Sequence, residues 1–158
     1  MALQVLYGLD AAGMLEGERR RTIDADQSIA AYFRAFEDPD AQAEDVDPEA
    51  RTFAQSLLRD LVPRIDEIDD TIRKASTNWR LERMPRVDRN VLRVATLELL
   101  GRPDVPRAVV IDEAVELAKR YGGDESQKFV NGILERVADE SGRSREDRPR
   151  RSNPPRRR

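Results

Sequence analysis

The string VDRNVLRVATLELL, residues 87–100, is apolar around most of a helical turn. Val87, Val91, Leu92, Val94, Ala95, Leu97, Leu99 and Leu100 leave no wide polar face. A surface helix shows one apolar stripe, whereas a helix apolar on nearly all sides has to be enclosed by other elements. This segment therefore predicts a central, buried helix and, around it, a helical bundle.

The rest of the chain supplies the covering helices. LQVLYGLD runs in a helical pattern from residue 2 with no capping residue ahead of it. EGERRRT is a polar link, and DADQSIAAYFRAFE then spaces Ile29, Phe33 and Phe36 along one helix face. EDPDAQAEDVDPE holds seven acids and no base, which suits a solvated loop. Asp47 and Pro48 form a helix-start pair. The helix that follows carries Phe53, Leu57, Leu58 and Leu61, then Ile65, Ile68 and Ile72, with a break expected at Pro63. STNWRLERMP, including Trp79, Leu81 and Met84, predicts an irregular connection pinned by its apolar residues.

Beyond the central segment, AVVIDEAVELAKRYGG places Ile111, Ala114, Val115, Ala118 and Tyr121 on one stripe. Gly122 and Gly123 predict a left-handed helix stop. Asp124 and Gln127 form a capping-box pattern for a last helix, which packs through Val130, Ile133, Leu134 and Val137. Gly132 inside that helix predicts close approach of a neighbouring backbone. No stretch alternates as a strand would. The expected fold is all-α, a compact bundle of about seven helices. Residues 1–141 form its helical domain, divided into subdomains 1–76 and 77–141, and residues 142–158 form a disordered Arg-rich tail.

Composition excludes much chemistry. With no Cys and no His, there is no disulfide, no thiolate nucleophile and no imidazole base or ligand. Tyr7, Tyr32 and Tyr121 have no base to activate them. Asp112 and Glu116 stand one turn apart, but a solvated helix face explains them better than a metal site. Gly122–Gly123 belongs to no phosphate-binding pattern. No enzyme, cofactor or metal is expected. No apolar run approaches the ~20 residues of a membrane span, and the first ten residues lack the basic region and cleavage site of a signal peptide, so the chain reads as cytoplasmic.

Charge is divided. Residues 142–158 hold eight Arg against Glu146 and Asp147, a net +6, which leaves the remainder at −9 within an overall −3. Such a tail attracts nucleic-acid phosphates without reading sequence, or simply aids solubility. SQKFVNG offers a more specific candidate. Lys128 beside Phe129 at a helix start suits single-stranded RNA, with Phe for a base and Lys for a phosphate. Spacing alone leaves two readings of Phe129, stacking or core, and favours core.

RMPRVDRNVLRVATLELL followed by DVPRAVVIDEAVELAKRYGGDESQKFVNGILERVA closely resembles the NusB family of transcription antitermination factors. The resemblance is nearly continuous from about residue 78 to 138. LQVLYGLD resembles the family's first helix, and residues 15–50 match loosely. It implies an all-α fold of two helical subdomains and a non-enzymatic factor. That factor pairs with ribosomal protein NusE, binds the boxA element of ribosomal RNA leader transcripts as single-stranded RNA, and joins an RNA polymerase antitermination complex. Lys128 and Phe129, with Ser126 and Gln127 beside them, fall at the family's RNA-contacting positions, which reverses the reading from spacing. Tyr7 and Asp88 fall at its NusE-contacting positions. The family's Arg-rich segment ahead of the first helix has no counterpart before Met1; a start codon further upstream, or a chain without that contact, is expected.

Two other readings are a NusB-like protein-interaction module and a fragment carrying the RNA-binding front domain of a ribosomal RNA methyltransferase. A module of the first kind binds NusE without preferring boxA.

Overall fold

A computed structural model of the chain describes residues 2–36, 48–77 and 79–144. Seven α-helices occur among them: α1 (Ala2–Ala11), α2 (Ala25–Phe36), α3 (Pro48–Leu61), α4 (Ile65–Ala75), α5 (Arg86–Gly101), α6 (Arg107–Tyr121) and α7 (Ser126–Glu140). The described residues include no strand, so the all-α expectation holds. The acidic segment up to Asp47 and the tail from residue 145 lie outside the described residues, as do the side chains of Phe33 and Phe36.

α5 is the axis. Helices α1, α3, α4, α6 and α7 all pack on it. Its buried residues include Val91, Leu92, Ala95, Leu97 and Leu99, together with Asp88, Asn90, Arg93 and Thr96. One apolar cluster joins Leu6 of α1, Leu58 of α3, Ile68 and Ile72 of α4, Leu92 of α5, and Leu134 of α7. The amphipathic helices thus bury their stripes against a helix that has no solvent face to lose.

Local chemistry explains most boundaries. Asp24 opens α2, its Oδ1 accepting the Gln27 N–H at 2.9 Å. Pro63 has no N–H to give α3 another bond, and the chain tightens into a 3₁₀ turn over Val62–Arg64 before α4 begins. EGERRRT, expected as a plain link, contains a 3₁₀ helix over Gly17–Thr22. Arg107, 3% exposed at the start of α6, ion-pairs with Glu135 and Asp139 and fastens α6 to α7.

The helix ends correct two expectations. Gly122 is extended, with φ −94° and ψ −173°, and makes no left-handed stop. Its glycine is required by space, because an added Cβ would lie 2.6 Å from the Ala118 carbonyl oxygen and 2.5 Å from the Ser126 hydroxyl. Left-handed helix stops stand elsewhere, at Gly13, φ +66°, after α1 and at Gly142, φ +69°, after α7. There the Gly142 N–H donates to Asp139 O at 3.2 Å and the Arg143 N–H to Ala138 O at 2.9 Å, the paired bonds of a Schellman end. No side chain caps α7, so the Asp124–Gln127 box does not form.

Residue 143 also differs from a free tail. Its guanidinium donates to Arg102 O at 2.9 Å and to Val105 O, and Arg107 donates to its carbonyl at 3.1 Å. Arg143 closes the bundle at the α5–α6 turn.

Candidate nucleic-acid interface

The turn between α6 and α7 sets the site. The Gly123 N–H donates to the Ser126 hydroxyl at 2.9 Å, and the Ser126 N–H returns to the Gly123 carbonyl at 3.1 Å. Ser126 is buried, so its side chain locks the turn from beneath and does not face solvent. Gln127 next to it is half-buried. Lys128 is exposed, and its ammonium meets no acid among the described residues.

Phe129 is half-buried against the core and meets Trp79 edge to face, ring centroids 5.9 Å apart and planes at 83°. Both earlier readings of Phe129 therefore contain part of the arrangement: one side touches the core and the other helps to form an open aromatic pair. Trp79 departs further from expectation. It does not pin the connection from inside; it is 60% exposed. Its backbone is held, since the Ser76 hydroxyl donates to the Trp79 carbonyl at 3.0 Å. Arg136 of α7 reaches across to Ala75 O at 3.2 Å and Thr77 Oγ1 at 3.3 Å, tying this connection to α7. Leu81 and Met84, as expected, are buried.

Gly132, one turn beyond Phe129, has nothing within 4 Å of where a Cβ would stand. The close approach expected there does not occur among the described residues. Tyr121 likewise leaves its predicted stripe; it is 42% exposed, with the Arg120 guanidinium over its ring at 5.4 Å. Phe53 is also exposed, beneath Arg102 at 5.2 Å.

The second group of expected residues lies on α1 and α5. Tyr7 is 41% exposed. Asp88, in the first turn of α5, is 3% exposed, and its Oδ1 has no hydrogen-bond partner. A buried carboxylate oxygen left unpaired costs stability. A polar lattice that sequence reasoning missed fixes the two helices on which these residues stand. Asp10 accepts from Arg89 at 2.7–3.0 Å and from Asn90 at 2.9 Å. Arg93 donates to Asp69 of α4 at 2.7 and 2.8 Å and to Asn90 Oδ1 at 3.1 Å. Nothing in helical spacing distinguishes these from solvated charges; Asp10 closing an apolar run was the available signal.

No group of three or more potential metal-ligating acids occurs among the described residues, and no described helix is long and apolar enough to cross a membrane. The described residues form an all-helical protein whose surface carries Trp79 edge-to-face on the half-buried Phe129, with the exposed Lys128 beside Phe129 in sequence.

Comparison with known proteins makes the class specific. The model of the NusB family matches residues 1–139. The transcription antitermination protein NusB of Sorangium cellulosum (strain So ce56) is 48% identical over 147 residues, covering 93% of each chain. That of Myxococcus xanthus (strain DK1622) is 44% identical over 137 residues, 87% of this chain and 89% of the relative. Among solved structures, T. maritima NusB superposes with a TM-score of 0.66 at 38% identity, covering 88% of this chain and 86% of that one. A crystal structure of antitermination factors NusB and NusE in complex with dsRNA gives 0.65 at 27% identity, covering 88% and 91%. This chain belongs to the NusB family.

Proposed function

We propose that this chain is a cytoplasmic, non-enzymatic transcription antitermination factor that pairs with NusE, binds boxA-type single-stranded RNA of ribosomal RNA leaders, and joins the antitermination complex of RNA polymerase. The observation that carries this reading is the partnerless Lys128 ammonium beside the half-open Phe129 ring, which suits a phosphate next to a base. Ser126 acts by holding the turn, and Gln127 flanks the contact.

Asp88 and Tyr7 serve NusE in this reading. The unpaired Asp88 oxygen is a low-exposure acceptor awaiting a donor, and a basic partner residue supplies one. The solved NusB–NusE complex with dsRNA supports NusE as the partner and RNA as the ligand class.

Transcription in vitro tests the proposal. RNA polymerase, NusE and the chain are combined on a template carrying boxA ahead of a terminator. Readthrough should rise with this protein and fall to the basal level when boxA is scrambled. Readthrough indifferent to boxA, with NusE still captured, would instead make the chain a protein-interaction module.

A further inference from the structure

We infer that Trp79 is a second base-stacking residue, set perpendicular to Phe129, so that the surface takes two splayed nucleotides of a single strand. This rests on the RNA-binding reading above and extends it to a residue outside the DESQKFVNG string.

Trp79 is more exposed than Tyr7, Phe53 or Tyr121, the other open aromatic side chains among the described residues. Two of those rings are already covered by a cation, Phe53 by Arg102 and Tyr121 by Arg120. No cation covers Trp79 among the described residues. Its backbone is held by the Ser76 hydroxyl on its carbonyl, and its ring meets Phe129 edge to face. A fixed, open aromatic surface receives a ligand with little ordering cost.

The surroundings favour RNA over protein. Arg80, next in sequence, is exposed, and its guanidinium makes no hydrogen bond or ion pair among the described residues; the same holds for the Lys128 ammonium. Nearby Arg73 differs, since Asp70 and Glu82 both pair with it, and Glu82 remains a carboxylate that also feels the Arg80 charge at longer range. Two cations with no ion-pair partner within 4 Å among the described residues, next to two aromatic rings in sequence, match the alternation of phosphate and base along a strand.

The 83° between the rings adds a constraint. Successive bases in a duplex lie parallel, so perpendicular rings can engage two neighbours only in a strand whose bases are unstacked from each other. The arrangement selects single-stranded over double-stranded RNA.

Trp79 is the only tryptophan of the chain, so its own emission reports the contact. The full-length protein with NusE is titrated with a boxA single strand, a duplex of the same sequence, and no RNA. Filter binding of the single strand runs in parallel. Quenching is expected with the single strand only, at the midpoint given by filter binding. Trp79→Ala should weaken binding roughly 5- to 150-fold, the range for loss of one stacked base, and by the same factor at low and high salt. Trp79→Tyr should restore most of it. RNA that binds wild type with unchanged emission, and Trp79→Ala equally well, overturns the inference and leaves the RNA-binding reading standing. Equal quenching by the duplex, or by NusE alone, also overturns it. RNA that fails to bind wild type overturns both.

Discussion

Arg89 of α5 grips both carboxylate oxygens of Asp10 of α1, with its Nη2 at 2.8 and 2.7 Å and its Nε at 3.0 Å. Asn90 adds a fourth bond and Arg93 stands 3.5 Å away, so one nearly buried acid joins the first helix to the central one. Removing one partner of a buried pair leaves an uncompensated charge. Asp10→Ala should therefore cost about 3–5 kcal/mol, measured by denaturant unfolding. Because α1 carries Tyr7 and α5 carries Asp88, the variant should also capture NusE poorly while it is still folded.

Asp88 should show the opposite balance. Its Oδ1 is buried and has no hydrogen-bond partner, so little holds it in the folded chain. Asp88→Ala should leave stability within about 1 kcal/mol of wild type or raise it. NusE capture should fall, and Asp88→Lys should fall further by placing like charges together. A pull-down beside thermal melts separates the two effects; equal capture by all three proteins would remove Asp88 from the interface.

Gly132 lies mid-helix with open space around it. Gly132→Ala should stabilise the protein by about 1 kcal/mol through helix propensity. If the bare backbone beside Phe129 is kept for RNA, the same variant should bind boxA more weakly. Higher stability with unchanged RNA affinity would assign Gly132 no part in binding.

Glu98 provides a pH test. Burial pushes its carboxyl above the usual range, and the negative charge of Glu113 adds to the shift. A raised folded pKa means that the native state binds the proton more tightly than the unfolded chain. The associated stability is present below the unfolded value, about 4.3, and is lost as pH rises through the folded one. Glu98→Gln should melt above wild type at pH 7, and the gap should close near pH 4.

Two truncations locate the end of the folded unit. Arg143 is bonded to the carbonyls of Arg102 and Val105, so a chain ending at Gly142 should melt lower than wild type. Ending at Ser144 should preserve the melting temperature. It should also flatten the salt dependence of RNA binding by about 0.7 for each tail arginine that meets a phosphate.

The helices were legible because apolar spacing and burial express the same requirement. VDRNVLRVATLELL announced a central helix, and Pro63 its break, from side-chain chemistry alone. The glycines were harder. A glycine needed for positive φ and one needed for close packing look alike in sequence, so a left-handed end was expected at Gly122, which is extended and close-packed, while Gly13 and Gly142 take that conformation after α1 and α7. Trp79 and Tyr121 were expected inside because large apolar residues favour burial on average; their exposure is decided by which neighbours reach them. The Asp10–Arg89–Asn90–Arg93–Asp69 lattice could not be read from spacing, since its members come from three helices and meet only after packing. In the candidate site, the Lys128–Phe129 pair was visible in SQKFVNG, and its neighbour Trp79 was not.

The most direct test of the central claim is the affinity of wild type and Phe129→Ala, each with NusE at low salt, for boxA RNA and for a scrambled strand. Thermal melts of the same proteins accompany it. Wild type should prefer boxA, and Phe129→Ala should lose about 1–3 kcal/mol of boxA binding. Its stability loss should stay below the ~3–5 kcal/mol of a fully buried Phe, because the ring is only half-buried. Equal binding of boxA and scrambled RNA by wild type, or a Phe129→Ala protein that melts early yet binds boxA like wild type while folded, would contradict the account.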